Sequence, residues 1–242
     1  MNLIIDIGNT RIKIAVFNSD ELIYNEVITK KEFVNVTLNL IEKFNCKNAI
    51  ISSVGILKKN EKDKIKAKIN VIELNSDTKT PFINNYGTPK TLGVDRIALV
   101  AAAVLKYKNK NVLIIDAGTC ITFDFVTKDK KYLGGAISPG IEMRYKSLNT
   151  FTEKLPLLNA EEGSIELIGT STETSIHSGV INGVISEIDS VIDKYRKKNK
   201  DLTIVLTGGD VNFLSNKLKN SIFANPIFLL EGLNSILTYN LQ

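Results

Sequence analysis

Apolar and polar positions fall into two similar series along the chain. Leu3, Ile4, Ile5 and Ile7 form an apolar run broken by Asp6 and followed by Gly8-Asn9-Thr10. Its length and β-branched content predict a buried strand, and residues 11–17 alternate as a second. The turn formers of "FNSDEL" lead into a third strand near 21–28. A helix near 30–44, a strand at 48–53, a helix near 57–68 and a strand at 71–74 follow. A second series begins after "KYKNKN", with strands at 112–116, 120–126 and near 131–137. From Thr172 to Tyr195 the apolar residues Ile181, Val184, Ile185, Ile188, Val191 and Ile192 recur at helical spacing. A strand at 203–207 and a helix after Gly209 come next. The C-terminal "PIFLLEGLNSILTYNL" reads as strand-like, then helical.

The two series share a motif. "IIDIGNTRIKIAVF" (4–17) and "IIDAGTCITFDFVT" (114–127) both read Ile-Ile-Asp-x-Gly, a polar residue and an alternating strand. Self-similarity at half the chain length points to two copies of one supersecondary unit. The expected domains are therefore 1–108 and 109–242, with a cleft between them of the kind that holds small ligands. The segment 75–92, with Pro81, Gly87 and Pro89, is predicted to be a loop too long for a mere connection.

Each Asp-x-Gly ends one strand and turns into the next. Backbone N–H groups in such a turn can hold an anion, and Asn9, Thr10 and Thr119 add side-chain donors. Asp6 and Asp116 beside two such turns suit a Mg²⁺-nucleotide, since magnesium takes a few carboxylates together with phosphate oxygens and waters. An aspartate that caps its own turn is the plain alternative for either copy. A third turn, "VLTGGD" at 205–210, runs an apolar strand into Gly208-Gly209. Neither a P-loop nor a dinucleotide-binding Gly-x-Gly-x-x-Gly is present.

Composition changes this picture little. The chain has 242 residues, 43% hydrophobic and 24% charged, and no apolar run of membrane-spanning length. The net charge of +5 comes from lysines mixed with acids. They form a solvated surface without the aromatic-basic interleaving of a nucleic-acid binder, and they suit an anionic small-molecule substrate. Two isolated cysteines, Cys46 and Cys120, fit a reducing cytoplasm. The single histidine, His177, excludes a multi-histidine metal site.

The duplicated Asp-x-Gly hairpin resembles the superfamily of actin, the sugar kinases and acetate kinase. More closely, the chain resembles type III pantothenate kinases, through "DIGNT" (6–10), "GVDR" (93–96), "DAGTCITFD" (116–124), "GGAISPG" (134–140), "STETSIHSG" (171–179) and "LTGGD" (206–210). Cys120 departs from the alanine more common in that family. The resemblance implies an α/β fold of two ribonuclease-H-like, actin-like ATPase domains in tandem. It implies ATP-dependent phosphorylation of pantothenate at its terminal hydroxyl, in a homodimer that needs K⁺ or NH₄⁺.

By the same resemblance Asp95 is the general base, and Arg96, Tyr86, Gly93, Val94 and Thr172 contact pantothenate. Asp6, Gly8, Asn9, Thr10, Lys13 and Thr119 serve Mg²⁺-ATP, and Asp116 holds the monovalent cation. Read from the residues alone, Asp95 could instead complement a helix dipole. Arg96 could form a surface ion pair, and Thr172 could be a helix N-cap. Alternation leaves Lys13 on either face of its strand. Two other functions stand beside the kinase: a non-catalytic nucleotide-binding accessory factor for transcription, and a kinase or phosphatase of the same fold acting on a different small molecule.

Overall fold

The structure is a computed structural model that describes residues 1–8, 11–55, 57–160, 163 and 165–242. The chain divides into two compact units. The first comprises Met1–Lys108, Lys130–Tyr132 and Ile227–Gln242, and the second Asn109–Asp129 and Leu133–Pro226.

The first unit is built on a five-stranded sheet of β1 (Asn2–Ile7), β2 (Ile12–Asn18), β3 (Glu21–Ile28), β4 (Asn48–Ser53) and β5 (Asn70–Glu73), in the order β3-β2-β1-β4-β5. β1 pairs antiparallel with β2 and parallel with β4. Side chains alternate across the sheet. Leu3, Ile5, Ile7, Ile12, Ile14 and Val16 therefore pack on one face, against Phe33 and Leu40 of α1 (Phe33–Lys43) and Ile65 of α2 (Lys59–Lys66). Asn2 points to the other face, where its side-chain amide donates to Asn234 of α8 (Phe228–Leu241) at 2.9 Å. α8 pairs there with α3 (Val94–Lys106). The two helices come very close, since a Cβ on Gly232 would stand 2.0 Å from the Ala98 carbonyl oxygen.

The second unit repeats the arrangement. β7 (Asn111–Ala117), β8 (Cys120–Val126), β9 (Lys131–Pro139), β10 (Leu202–Thr207) and β11 (Phe223–Ala224) run in the order β11-β10-β7-β8-β9. This is the strand order of the first sheet, so the repeat seen around Asp-x-Gly extends through five strands. Leu113, Ile115, Phe123, Phe125 and Leu206 pack against Ile141 and Tyr145 of α4 (Ile141–Thr150) and against the segment 172–198.

The elements depart from expectation at several points. The single helix expected over 172–195 is α5 (Thr172–His177), a π-helical stretch Ser178–Asn182 and α6 (Gly183–Lys198). The widened turn accompanies two consecutive inward polar residues. His177 Nδ1 lies 2.8 Å from the Tyr145 hydroxyl, and Ser178 donates to the Leu167 carbonyl at 2.7 Å. Helix α4 was not expected, because its buried stripe is only Ile141 and Tyr145. The strand-like stretch expected after Pro226 is helical; β11 precedes it, and the short α7 (Val211–Ser215), the helix expected after Gly209, precedes β11. The segment 75–92 holds a two-residue strand, β6 (Ile83–Asn84), paired with Lys131 and Tyr132, and a 3₁₀ turn at Pro89–Thr91. A split at 108/109 would leave residues 227–242 with the second half, whereas α8 packs in the first unit.

Candidate active site

Asp6 is the polar residue that β1 carries to its C-terminal end. It lies opposite Lys13 on β2 and opposite Ser52 on β4. Residues in such register point to the same side of a sheet, which places Lys13 on the Asp6 face. Asp6 is 8% exposed. Burial is the main reason its carboxyl is raised from 3.8 to about 6. Lys13 lowers it, Asp95 raises it as a like charge, and Ser52 lowers it. The Ser52 hydroxyl is buried without a partner at good hydrogen-bond geometry, yet it lies close enough to favour the charged carboxylate. The strand end is closed by backbone bonds, Gly8 N–H to the Arg11 carbonyl and Gly55 N–H to the Ile7 carbonyl, both at 3.0 Å. Asn9 and Thr10 lie outside the described residues.

Asp95 is in the first turn of α3, after Gly93 at the N-cap and Val94, all three half-buried. One Asp95 carboxylate oxygen accepts from the Arg96 N–H at 2.8 Å, so this side chain does complement the helix start. It also acts on Asp6, which places both carboxylates in one electrostatic neighbourhood. A Cβ on Gly93 would lie 2.4 Å from Asp95 Oδ1. Gly93 has φ −58°, which alanine adopts freely. Gly93→Ala is therefore expected to leave the melting temperature nearly unchanged and to swing the carboxylate away. Displacement by roughly an ångström costs on the order of 10²-fold in turnover. Steady-state kinetics beside a thermal melt checks this, and wild-type turnover would show that the position of the Asp95 carboxylate is not critical.

Arg96 is buried, at 5% exposed, which corrects the surface ion-pair alternative. Its guanidinium carbon stands 5.4 Å from the centroid of the Tyr86 ring. Tyr86 in turn stacks on Tyr132, with centroids 6.0 Å apart and planes 21° apart. A planar, delocalised cation held on an aromatic face keeps its fork of N–H donors in a fixed orientation, which suits bidentate binding of a carboxylate.

In the second unit Asp116 lies opposite Thr207 on β10, as Asp6 lies opposite Ser52 on β4. Gly208 has φ +99°, and a Cβ there would meet the Ala117 carbonyl oxygen at 2.2 Å and Asp116 Oδ1 at 2.5 Å. Only glycine fits. Gly140 packs equally tightly on the turn, its Cβ position 2.0 Å from the Gly118 carbonyl oxygen. Asp210 N–H donates to the Ala117 carbonyl at 2.9 Å. Thr119 is exposed at the tip and Asp116 is half-buried at its base. Burial, and then Glu142, push the Asp210 carboxyl above its usual value.

Thr172 is the first residue of α5 and is exposed, while Ser171 is the N-cap and accepts from the Thr174 N–H. The cap alternative for Thr172 thus belongs to its neighbour. Among the described residues no three His, Cys, Asp or Glu side chains cluster as a metal cage. A magnesium ion does not require one, because one or two carboxylates suffice when phosphate and water complete the shell. Burial penalises the charge of the Asp6 carboxylate, and a bound cation would supply the missing counter-charge, so the residue fits such an ion.

Sequence reasoning passed over Ser52, Thr207, Tyr132 and Asp210. Ser52 and Thr207 carried a signal, since each is a polar residue at the end of an apolar strand, as Asp6 is. Tyr132 carried none, because its partner Tyr86 is 46 positions away, with α3, β7 and β8 between them in the chain.

Comparisons with known proteins bear on the fold and the family. The structure is similar to glucokinase from an Antarctic psychrotroph, with a TM-score of 0.53 and 13% identity over 98% of each chain. It is also similar to a conserved candidate Baf family transcriptional activator from Campylobacter jejuni, with a TM-score of 0.65 and 23% identity over 98% of each chain. At these identities the likeness gives the fold alone, an α/β fold of the actin- and hexokinase-like ATPases. The type III pantothenate kinase of Christiangramia forsetii is 54% identical over 241 residues, 99% of both chains. The family described as type III pantothenate kinase matches residues 2–194. The chain therefore belongs to the type III pantothenate kinase family.

Proposed function

We propose that this protein transfers the γ-phosphoryl group of ATP to the terminal hydroxyl of pantothenate, the first step of coenzyme A biosynthesis. Family membership supports the reaction. The observation that carries the chemistry is Asp95, a carboxylate at the start of α3, set between the Asp6 neighbourhood and the adjoining Arg96 on Tyr86.

Asp95 accepts the proton of the pantothenate hydroxyl as its oxygen bonds to the γ-phosphorus and the bond to the bridging oxygen of ADP breaks. Arg96 pairs with the pantothenate carboxylate, and Tyr86 holds the guanidinium in place. Gly93, Val94 and Thr172 complete the acceptor contacts. Gly8, Asn9, Thr10, Lys13 and Thr119 line the phosphates of ATP. A kinase of this family uses ATP and a divalent metal. When bound, magnesium neutralises phosphate charge, and Asp6 is the carboxylate that would hold it. Asp116 takes a monovalent cation, K⁺ or NH₄⁺. The working form is a homodimer in the cytoplasm. Among the described residues no helix is long and apolar enough to cross a membrane.

Mass spectrometry of the reaction products tests this reading. Pantothenate, glucose and N-acetylmannosamine are each offered with ATP and Mg²⁺, and phosphopantothenate, formed together with ADP, is the only phosphorylated acceptor expected. A phosphorylated sugar instead would reassign the acceptor. ATP binding without transfer to any acceptor would favour the accessory-factor reading.

A further inference from the structure

Tyr132 is fully buried and is the second residue of β9, whose residues from Leu133 onward belong to the other unit. Its surroundings are in the segment 75–92. Ile83 N–H donates to the Lys130 carbonyl at 2.8 Å and Asn85 N–H to the Tyr132 carbonyl at 3.0 Å, so the backbone of β6 is fastened at both ends to the start of β9. Phe82 meets the Tyr132 ring edge-on at 6.1 Å. Tyr86 stacks on it at 6.0 Å, and Arg96 stands over Tyr86. An Asx turn, with the Asn84 side chain accepting from the Tyr86 N–H at 3.0 Å, fixes the step from β6 to Tyr86.

The consequence is a continuous packed column from Phe82 through Tyr132 and Tyr86 to the guanidinium of Arg96. Tyr86 is only half-buried, so it needs a neighbour to define the plane of its ring. Stacked aromatic pairs supply such a preference beyond mere burial. The orientation of Arg96 then follows from the Tyr86 ring plane.

We propose that Tyr132 is a positioning residue for the acceptor carboxylate: it sets the plane of Tyr86 and through it the aim of Arg96. This rests on the pantothenate kinase reading and assigns how that site selects an anionic acceptor. A guanidinium whose plane is fixed binds a carboxylate by two parallel bonds, and a free one does so at a cost in ordering. Loss of the ring is thus felt in the affinity for the acceptor, with the phosphoryl donor unaffected.

The test is steady-state kinetics on the full-length protein with pantothenate and ATP, for native protein, Tyr132→Leu, Tyr132→Phe and Tyr86→Leu. Tyr132→Leu is expected to raise the pantothenate KM by about tenfold, with the ATP KM and kcat within about threefold. Tyr132→Phe keeps a stacking ring and is expected to bring the pantothenate KM back to near the native value. Tyr86→Leu reproduces the rise, and adding Tyr132→Leu to it raises the KM no further, since the two act through one contact. If Tyr132→Leu does not fold, Tyr132→Met replaces it, with the same expectation. An unchanged pantothenate KM in the folded variant, or an equal rise for ATP, overturns the proposal alone. A native protein that does not phosphorylate pantothenate overturns the reading beneath it as well.

Discussion

Asp95→Asn is expected to lower kcat by about 10²–10⁴-fold, the span that general acid–base catalysis supplies. The replacement is nearly isosteric. Its carbonyl oxygen can still accept from the Arg96 N–H, as the carboxylate does at 2.8 Å, so the start of α3 is preserved. Loss of a charge from the first turn costs roughly 0.3–1 kcal/mol through the helix dipole. The variant should therefore fold, bind ATP with a near-native KM, and fail in transfer. A helix-capping aspartate without catalytic duty predicts the opposite pattern, a slightly lower melting temperature and native turnover. Measuring kcat and the thermal midpoint on the same preparation separates the two.

Asp6→Asn is expected to abolish most turnover and yet stabilise the ligand-free protein. Burial raises the Asp6 carboxyl from 3.8 to about 6. At about 1.4 kcal/mol per pKa unit, the ionised form costs the fold roughly 3 kcal/mol. The sign follows from proton counts. Below the unfolded value of 3.8 both states are protonated and nothing is lost. Between that value and about 6 the folded state holds the proton more tightly, so stability falls as pH rises. Above about 6 the cost is complete. Asparagine is never charged, so the variant should unfold at higher denaturant concentration than native protein at pH 8. The gap should hold from pH 8 down to about pH 6 and narrow below that, closing near the unfolded value of 3.8. A site that trades stability for a buried charge in this way is common where that charge is needed for chemistry. Equal midpoints at pH 8 would mean that Asp6 is ionised without penalty in the folded protein.

How much of this could be read from the sequence depended on how local the determinants are. The strands β1, β2 and β3 and their counterparts β7, β8 and β9 follow from alternation and turn residues that lie within a few positions of one another. The Asp-x-Gly repeat marked both turns for the same reason. Helix α8 was legible as a helix but not as part of the first unit, because its partner α3 is more than a hundred residues away and the fit depends on Gly232 against Ala98. The π-helical stretch at Ser178–Asn182 was hidden behind a regular helical period, since the inward hydrogen bonds of His177 and Ser178 that accompany it reach Tyr145 and Leu167, outside the helical pattern. Lys13 was ambiguous until the register with Asp6 fixed its face. Tyr132 was silent because a tyrosine at the start of a strand says nothing about which ring it meets.

The most direct measurement is ADP release by the native protein with ATP and Mg²⁺, with and without pantothenate, in K⁺, NH₄⁺ or Na⁺. The account predicts release that depends on pantothenate and is supported by K⁺ or NH₄⁺ and not by Na⁺. ATP that stays bound and unspent whether or not pantothenate is present, in all three salts, would contradict it.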